Sequence, residues 1–266
     1  MCGGRASFTP RREPVLVIRV AVTATTDQAE ELRARFIELA PEGFEEQERA
    51  GVLELAVYGP AAECVLAAFP DAAVSEVGDD WSERWREFHH AIWIGHLWVG
   101  PPWEARDERS AAVVIDPGQA FGTGAHATTR LCLELLLDRP GGSLLDVGCG
   151  SGVLSIAAVR LGFAPVIALD IDPVAVEVTS ENARVNGVEI AVRQADARTG
   201  DFPVTDMTVA NIALADVQLL GPRLSSRAII TSGYLGSDRP ELSGYDHSER
   251  REREGWAADL FERRTR

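Results

Sequence analysis

Between residues 112 and 235, short apolar runs alternate with stretches whose apolar residues recur at helical spacing. The runs AAVVID, SLLDVG, PVIALDID, IAVRQAD, DMTVANI and AIITSG predict strands, and segments 127–138, 151–161, 173–186 and 214–223 predict helices. Strand and helix in alternation predict an α/β unit with a parallel, doubly wound sheet. Asp172 before Pro173 is a good helix start, since its side chain can cap and proline suits the first turn. Farther on, Gly255 gives a turn signal, and Trp256, Ala258 and Leu260 then alternate as in a last antiparallel strand. The charge run 249–254 reads as a solvated face.

Residues 15–77 have a different rhythm. VLVIRVAV reads as a strand. DQAEELRARFIELA reads as a helix, with Asp27 placed to cap it and Leu32, Phe36 and Leu39 on one face. GFEEQER and VLELAVYG pair as a hairpin, followed by a helix at 61–68 and a strand at 72–77. The order βαββαβ predicts a small ferredoxin-like α+β sandwich with no catalytic residue in it, a recognition module. Between the two parts lies DDWSERWREFHHAIWIGHLWVGPPWE. Trp81, Trp85 and Phe88 recur there on one helical face and predict domain docking, while His89 and His90 read as surface or hinge residues. The expected division is 1–78 recognition domain, 79–111 tryptophan-rich linker and 112–266 catalytic domain.

Composition narrows the function classes. The 266-residue chain is 45% hydrophobic and carries a formal charge of −15, which opposes binding to nucleic acid, so no direct nucleic-acid contact is expected. All 26 basic residues are arginine. No apolar run approaches the roughly 20 residues that span a bilayer, and the N-terminus lacks a signal-peptide pattern. Cys2, Cys64, Cys132 and Cys149 are scattered without a Cys-x-x-Cys pair, so neither a disulfide framework nor a metal site is expected. A cytoplasmic location is the default expectation.

Two glycine-rich stretches carry the chemistry. In LLDVGCGSGVLSIAA a strand leads through Asp146 to Gly148, Gly150 and Gly152 at the mouth of a helix. Glycine lets the backbone turn tightly and approach a ligand without a Cβ in the way. The spacing G-x-G-x-G differs from the dinucleotide G-x-G-x-x-G, which disfavours a dehydrogenase. Asp146 can face a cationic amino-acid end of a ligand. Asp170, twenty-two residues past Gly148 in IALDIDP, can take both hydroxyls of a ribose. Together these resemble the S-adenosylmethionine site of Rossmann-like class I methyltransferases. Asp196 stands where adenine recognition is common in that class, but a surface role is nearly as good a reading. Asn211 ends the fourth strand in TVANIALADV, where an amide carbonyl could accept a hydrogen bond from an amine and aim its lone pair.

The ordered set DPGQAFGTGAHATT, LLDVGCGSG, ALDIDP and VANI resembles the PrmA family of ribosomal protein methyltransferases. The resemblance implies S-adenosylmethionine as cofactor and, as acceptor, lysine and N-terminal amines of large-subunit ribosomal protein eleven. It also implies that Thr129, Gly148, Asp170 and Asn211 touch the cofactor, with Asp146 and Gly150 in the same loop, and that Asn211 sits by the incoming amine as the catalytic residue. The chain departs from the family pattern at Ala125 and Ala127. The first glycine stretch reads as a lid over the cofactor's methionine end, with Gly118, Gly122 and Gly124 permitting close approach, Phe121 sealing the channel and His126 stabilising the loop. Two other readings stand beside this one. One is an N-methyltransferase for another protein or a small amine; the other is a nonenzymatic cofactor-binding, ribosome-associated protein.

Overall fold

The computed structural model describes residues 17–25, 28–40, 44–49, 51–58, 60–77, 90–104, 111–116, 124, 126–199 and 202–264. Asp27, Trp81, Trp85, Phe88, His89, Gly118, Phe121, Gly122 and Ala125 therefore lie outside the described residues. The chain divides into two compact units, 1–88 and 89–266.

The first unit runs β1 (Val17–Thr25), α1 (Ala29–Leu39), β2 (Glu45–Arg49), β3 (Val52–Tyr58), α2 (Pro60–Ala68) and β4 (Ala73–Val77). The strands form one antiparallel sheet in the order β2-β3-β1-β4, the ferredoxin-like arrangement that the βαββαβ pattern predicts. Val20, Leu53, Leu55 and Val57 from the sheet close on Leu32 and Phe36 of α1 and Val65 of α2, a core of alternating strand positions against helical stripes.

The second unit opens with β5 (Ile92–Ile94), β6 (Leu97–Gly100) and β7 (Ala111–Val114), which form a three-stranded sheet of their own. Here the structure departs from the sequence reading twice. Ile94, Leu97 and Val99 lie in the segment read as linker, yet they are buried in the core of the second unit. AAVV does not join the large sheet; it runs parallel to β6. Its other edge is held by Asn186, whose amide donates to the Val114 carbonyl at 2.7 Å and accepts the Val114 N–H at 2.8 Å. A buried side chain thus stands in for a neighbouring strand.

The large sheet contains β8 (Leu144–Val147), β9 (Val166–Asp170), β10 (Ala191–Gln194), β11 (Met207–Asn211), β12 (Ala228–Leu235), β13 (Tyr245–Arg253) and β14 (Trp256–Arg263). The helices are α3 (Ala127–Leu137), α4 (Val153–Arg160), α5 (Pro173–Asn186) and α6 (Leu214–Leu220). The strand order is β10-β9-β8-β11-β12-β14-β13, with β10 to β12 parallel and β14 antiparallel to both its neighbours. Strand order reverses between β8 and β11, so the crevice at their carboxyl ends is the topological switch point of the sheet. Apolar side chains pack on both faces, as in a doubly wound sheet.

The run 249–254 is not a plain solvated face. It lies mostly in edge strand β13, and its arginines reach an acid of α3 and the acid at its C-cap: Arg253 meets Glu134 at 2.8 Å and Arg251 meets Asp138 at 2.5 Å. Arg250 pairs at 3.0 Å with Asp259, a carboxylate with no exposed surface that also accepts from the Tyr234 hydroxyl at 2.8 Å.

Candidate active site

Three neighbouring strand ends supply the site: β9 with Asp170, β8 with Asp146 and Gly148, and β11 with Asn211. The loop after β8 turns because Gly148, Gly150 and Gly152 all take positive φ, at +76°, +54° and +81°. At Gly148 there is no room as well as no choice, since an added Cβ would come within 2.3 Å of Ile212 Cγ2. Backbone amides of Gly148 and Cys149 both donate to the Leu169 carbonyl, at 2.8 and 3.0 Å, which ties the loop to β9.

Asp170 links the loop to the neighbouring strand. Its Oδ2 accepts the Gly150 N–H at 2.9 Å and its Oδ1 accepts the Asp172 N–H at 3.0 Å. Each oxygen keeps lone-pair capacity beyond those bonds, so the carboxylate is oriented but not used up. Asp172 caps α5 by accepting the Val174 N–H at 2.9 Å, ahead of Pro173 in the first turn. Ile171, between the two acids, is 59% exposed, an apolar side chain left open at the strand end. Asp196 is already engaged, its side chain accepting the Arg198 N–H at 2.8 Å.

Asp146 has no exposed surface. Its Oδ2 accepts from the Ser155 hydroxyl at 2.6 Å, while Oδ1 is buried without a hydrogen-bond partner. Burial pushes its pKa up to about 7, with the nearby Asp170 charge adding to the rise and the Ser155 bond opposing it. A buried acceptor with nothing to accept from is costly, and a cation placed against it would relieve that cost.

The fourth group comes from the end of the first glycine stretch. Gly124 (φ +88°) is buried where a Cβ would sit 2.6 Å from Val99 Cγ1, so only a glycine fits against β6 at this position. His126 then occupies the N-cap of α3, and the first turn holds Ala127, Thr128 and Thr129, all buried. Asn211 Nδ2 donates to Thr128 Oγ1 at 3.2 Å and, more distantly, to Thr129 Oγ1 at 3.5 Å. Its Oδ1 is buried and has no hydrogen-bond partner.

The structure therefore gathers Asp146, Gly148, Gly150, Asp170, Asn211 and Thr129 around adjoining strand ends. Sequence reasoning singled out Thr129 but passed over Thr128, which makes the shorter bond to Asn211. The signal was the doubled threonine itself: in a first turn, adjacent residues point about 100° apart, and only geometry tells which faces β11. Chemically the arrangement offers a backbone cradle, a fixed carboxylate suited to a diol, a buried carboxyl suited to a cation and a neutral carbonyl suited to an N–H. Among the described residues no group of three or more His, Cys, Asp or Glu could hold a metal ion.

Comparison with known proteins bears on this arrangement. A family model described as "Ribosomal protein L11 methyltransferase (PrmA)" matches residues 23–263. A ribosomal protein L11 methyltransferase of Paraburkholderia xenovorans is 40% identical over 249 residues, covering 87% of this chain and 79% of that protein. One from Caldicellulosiruptor bescii is 45% identical over 150 residues, 54% of this chain and 49% of that protein. A solved structure of a ribosomal protein L11 methylase from Lactobacillus delbrueckii subsp. bulgaricus superimposes with a TM-score of 0.57 at 28% identity, covering 66% of this chain and all of that one. Several curated relatives are matched over less than two thirds of their own length, 49% in one case and 64% in another.

Proposed function

The chain belongs to the ribosomal protein L11 methyltransferase (PrmA) family, and we propose that it transfers methyl groups from S-adenosylmethionine to lysine and N-terminal amines of ribosomal protein L11. The observation that carries this reading is the pair of unsatisfied buried acceptors, Asp146 Oδ1 and Asn211 Oδ1, at adjacent strand ends beside a glycine cradle. S-adenosylmethionine fits that set: an ammonium for Asp146, a ribose diol for Asp170 and an adenine face for exposed Ile171. When bound, it supplies an electrophilic methyl group on a cationic sulfonium.

The chain's own residues would do the rest. Gly148 and Gly150 let the backbone close on the cofactor, and Asp170, braced by the Gly150 and Asp172 amides, fixes the ribose end. Asn211 Oδ1 accepts a hydrogen bond from the incoming amine and so aims its lone pair, a proximity and orientation effect. The amine must be uncharged to attack, and a free lysine has a pKa near 10.4. Desolvation and a neighbouring positive charge both disfavour its ammonium form, so no side-chain base is required at this position. The ferredoxin-like unit, with residues 1–78, is assigned to docking of the protein acceptor, and residues 112–266 to catalysis, with β5 and β6 counted in the core of the catalytic unit rather than as a linker.

Incubation of the full chain with S-adenosylmethionine carrying a labelled methyl group and purified L11, followed by mass spectrometry of the acceptor, tests the proposal. Label on L11 amines is expected. Label on a different protein or on a small amine would move the assignment to another acceptor, and cofactor binding without transfer would leave a nonenzymatic role.

A further inference from the structure

The Asn211 amide has two ends of opposite polarity, and only one orientation leaves its oxygen open for an amine. A threonine hydroxyl facing it does not choose between them alone, since it carries one proton and can also accept. In this protein the proton of Thr128 is committed elsewhere. His126 Nδ1 lies 2.8 Å from Thr128 Oγ1 and also accepts the Thr128 backbone N–H at 3.4 Å. A ring nitrogen that accepts a helix N–H holds a lone pair and no proton. The Thr128 hydroxyl therefore donates to Nδ1 and has only lone pairs left for Asn211. The amide must answer with its NH2.

We propose that His126 and Thr128 are positioning residues, forming a directed chain from Asn211 Nδ2 through the Thr128 hydroxyl to His126 Nδ1 that fixes the amide's polarity and holds its carbonyl open toward the amine. The proposal rests on the methyl-transfer reading above. Thr128 is 1% exposed, so water does not compete for its hydroxyl. The His126 ring is held edge-on by Trp256, with centroids 4.9 Å apart. Burial lowers the His126 pKa, against an opposing effect of Glu254, which favours the neutral ring that the chain needs. Every donor in the chain points away from the amine, so the chain orients Asn211 and offers no base.

The tautomer can be read directly. Nitrogen-15 NMR of the imidazoles in the full chain at neutral pH, with His126→Asn used to assign the signal among five histidines, should show the His126 proton on Nε2. A proton on Nδ1 overturns the proposal whether or not the protein is active. Kinetics supply the second arm. Thr128→Val should lower kcat about 10- to 100-fold while the KM for the acceptor protein changes less than about threefold. Thr128→Ser should restore most of kcat, and His126→Leu should resemble Thr128→Val. A folded Thr128→Val protein with wild-type kcat, or a Ser variant as impaired as the Val one, also overturns the chain. If the wild-type protein transfers no methyl, the functional reading falls and the tautomer alone decides the chain.

Discussion

Two oxygens at adjacent strand ends invite comparison. Asp146 on β8 and Asn211 on β11 each bury one oxygen without a partner, yet one group ionises and the other does not. At β8 the carboxyl is held near its switching point, pushed up to about 7, and a cation would draw it into the charged form. At β11 a charge would do harm. A carboxylate beside the amine would favour its ammonium form, whose lone pair is occupied by a proton. The same geometric feature thus serves holding in one place and steering in the other, and the amide is what separates them.

The sharpest way to break this comparison is to make the two ends alike. Asn211→Asp should lower kcat at pH 7 by about 100-fold or more, with partial recovery as pH rises and the amine is freed of its proton. A flat pH–rate profile at wild-type level would end the distinction. Next in size, Asp170→Ala should weaken S-adenosylmethionine binding about 10- to 100-fold by calorimetry, since charged hydrogen bonds of roughly 1.5–3 kcal/mol are lost. Wild-type affinity in that variant would remove the ribose assignment.

Asp146→Asn sharpens the other side. Wild-type cofactor affinity should increase as pH rises through about 7, where the buried carboxyl ionises, and the Asn variant should show no such rise. The sign for stability is opposite. Below about pH 4 both folded and unfolded chains hold this proton; above it the unfolded chain releases the proton first. Ligand-free wild-type protein therefore loses stability between about pH 4 and about 7, and Asp146→Asn should gain several degrees in Tm over wild type at pH 8 relative to pH 5. Equal Tm differences at both pH values would contradict the burial argument. The smallest effect is expected at Asp196→Ala, about tenfold or less in cofactor affinity, because at most one hydrogen bond to adenine is lost there.

What could be read from the sequence follows a physical line. The loop after β8 was legible because backbone demands are written in residue type: three positive-φ positions are three glycines, and Asp170 lies one βα unit away. The strand AAVV was legible as a strand but not as to partner, since its place beside β6 depends on Asn186, some seventy residues later. Strand β13 was hidden because its surface of Arg and Glu carries no apolar alternation; its arginines are satisfied by Glu134 and Asp138 more than a hundred residues earlier. The polarity of Asn211 was equally out of reach, for it depends on which of two neighbouring threonines faces β11.

The inversion of strand order at the sheet's far edge has a consequence for synthesis. Chain emerging from a ribosome delivers Tyr245–Arg253 before Trp256–Arg263, although the later strand is the one that lies against β12. Until Trp256–Arg263 is made, the earlier strand has no seat, and the backbone donors and acceptors of Ala228–Leu235 stay open along that edge. An unpaired edge of this kind is a template for wrong pairing. A nascent chain paused at the hairpin turn therefore leaves that edge open to mispairing until the last strand is made.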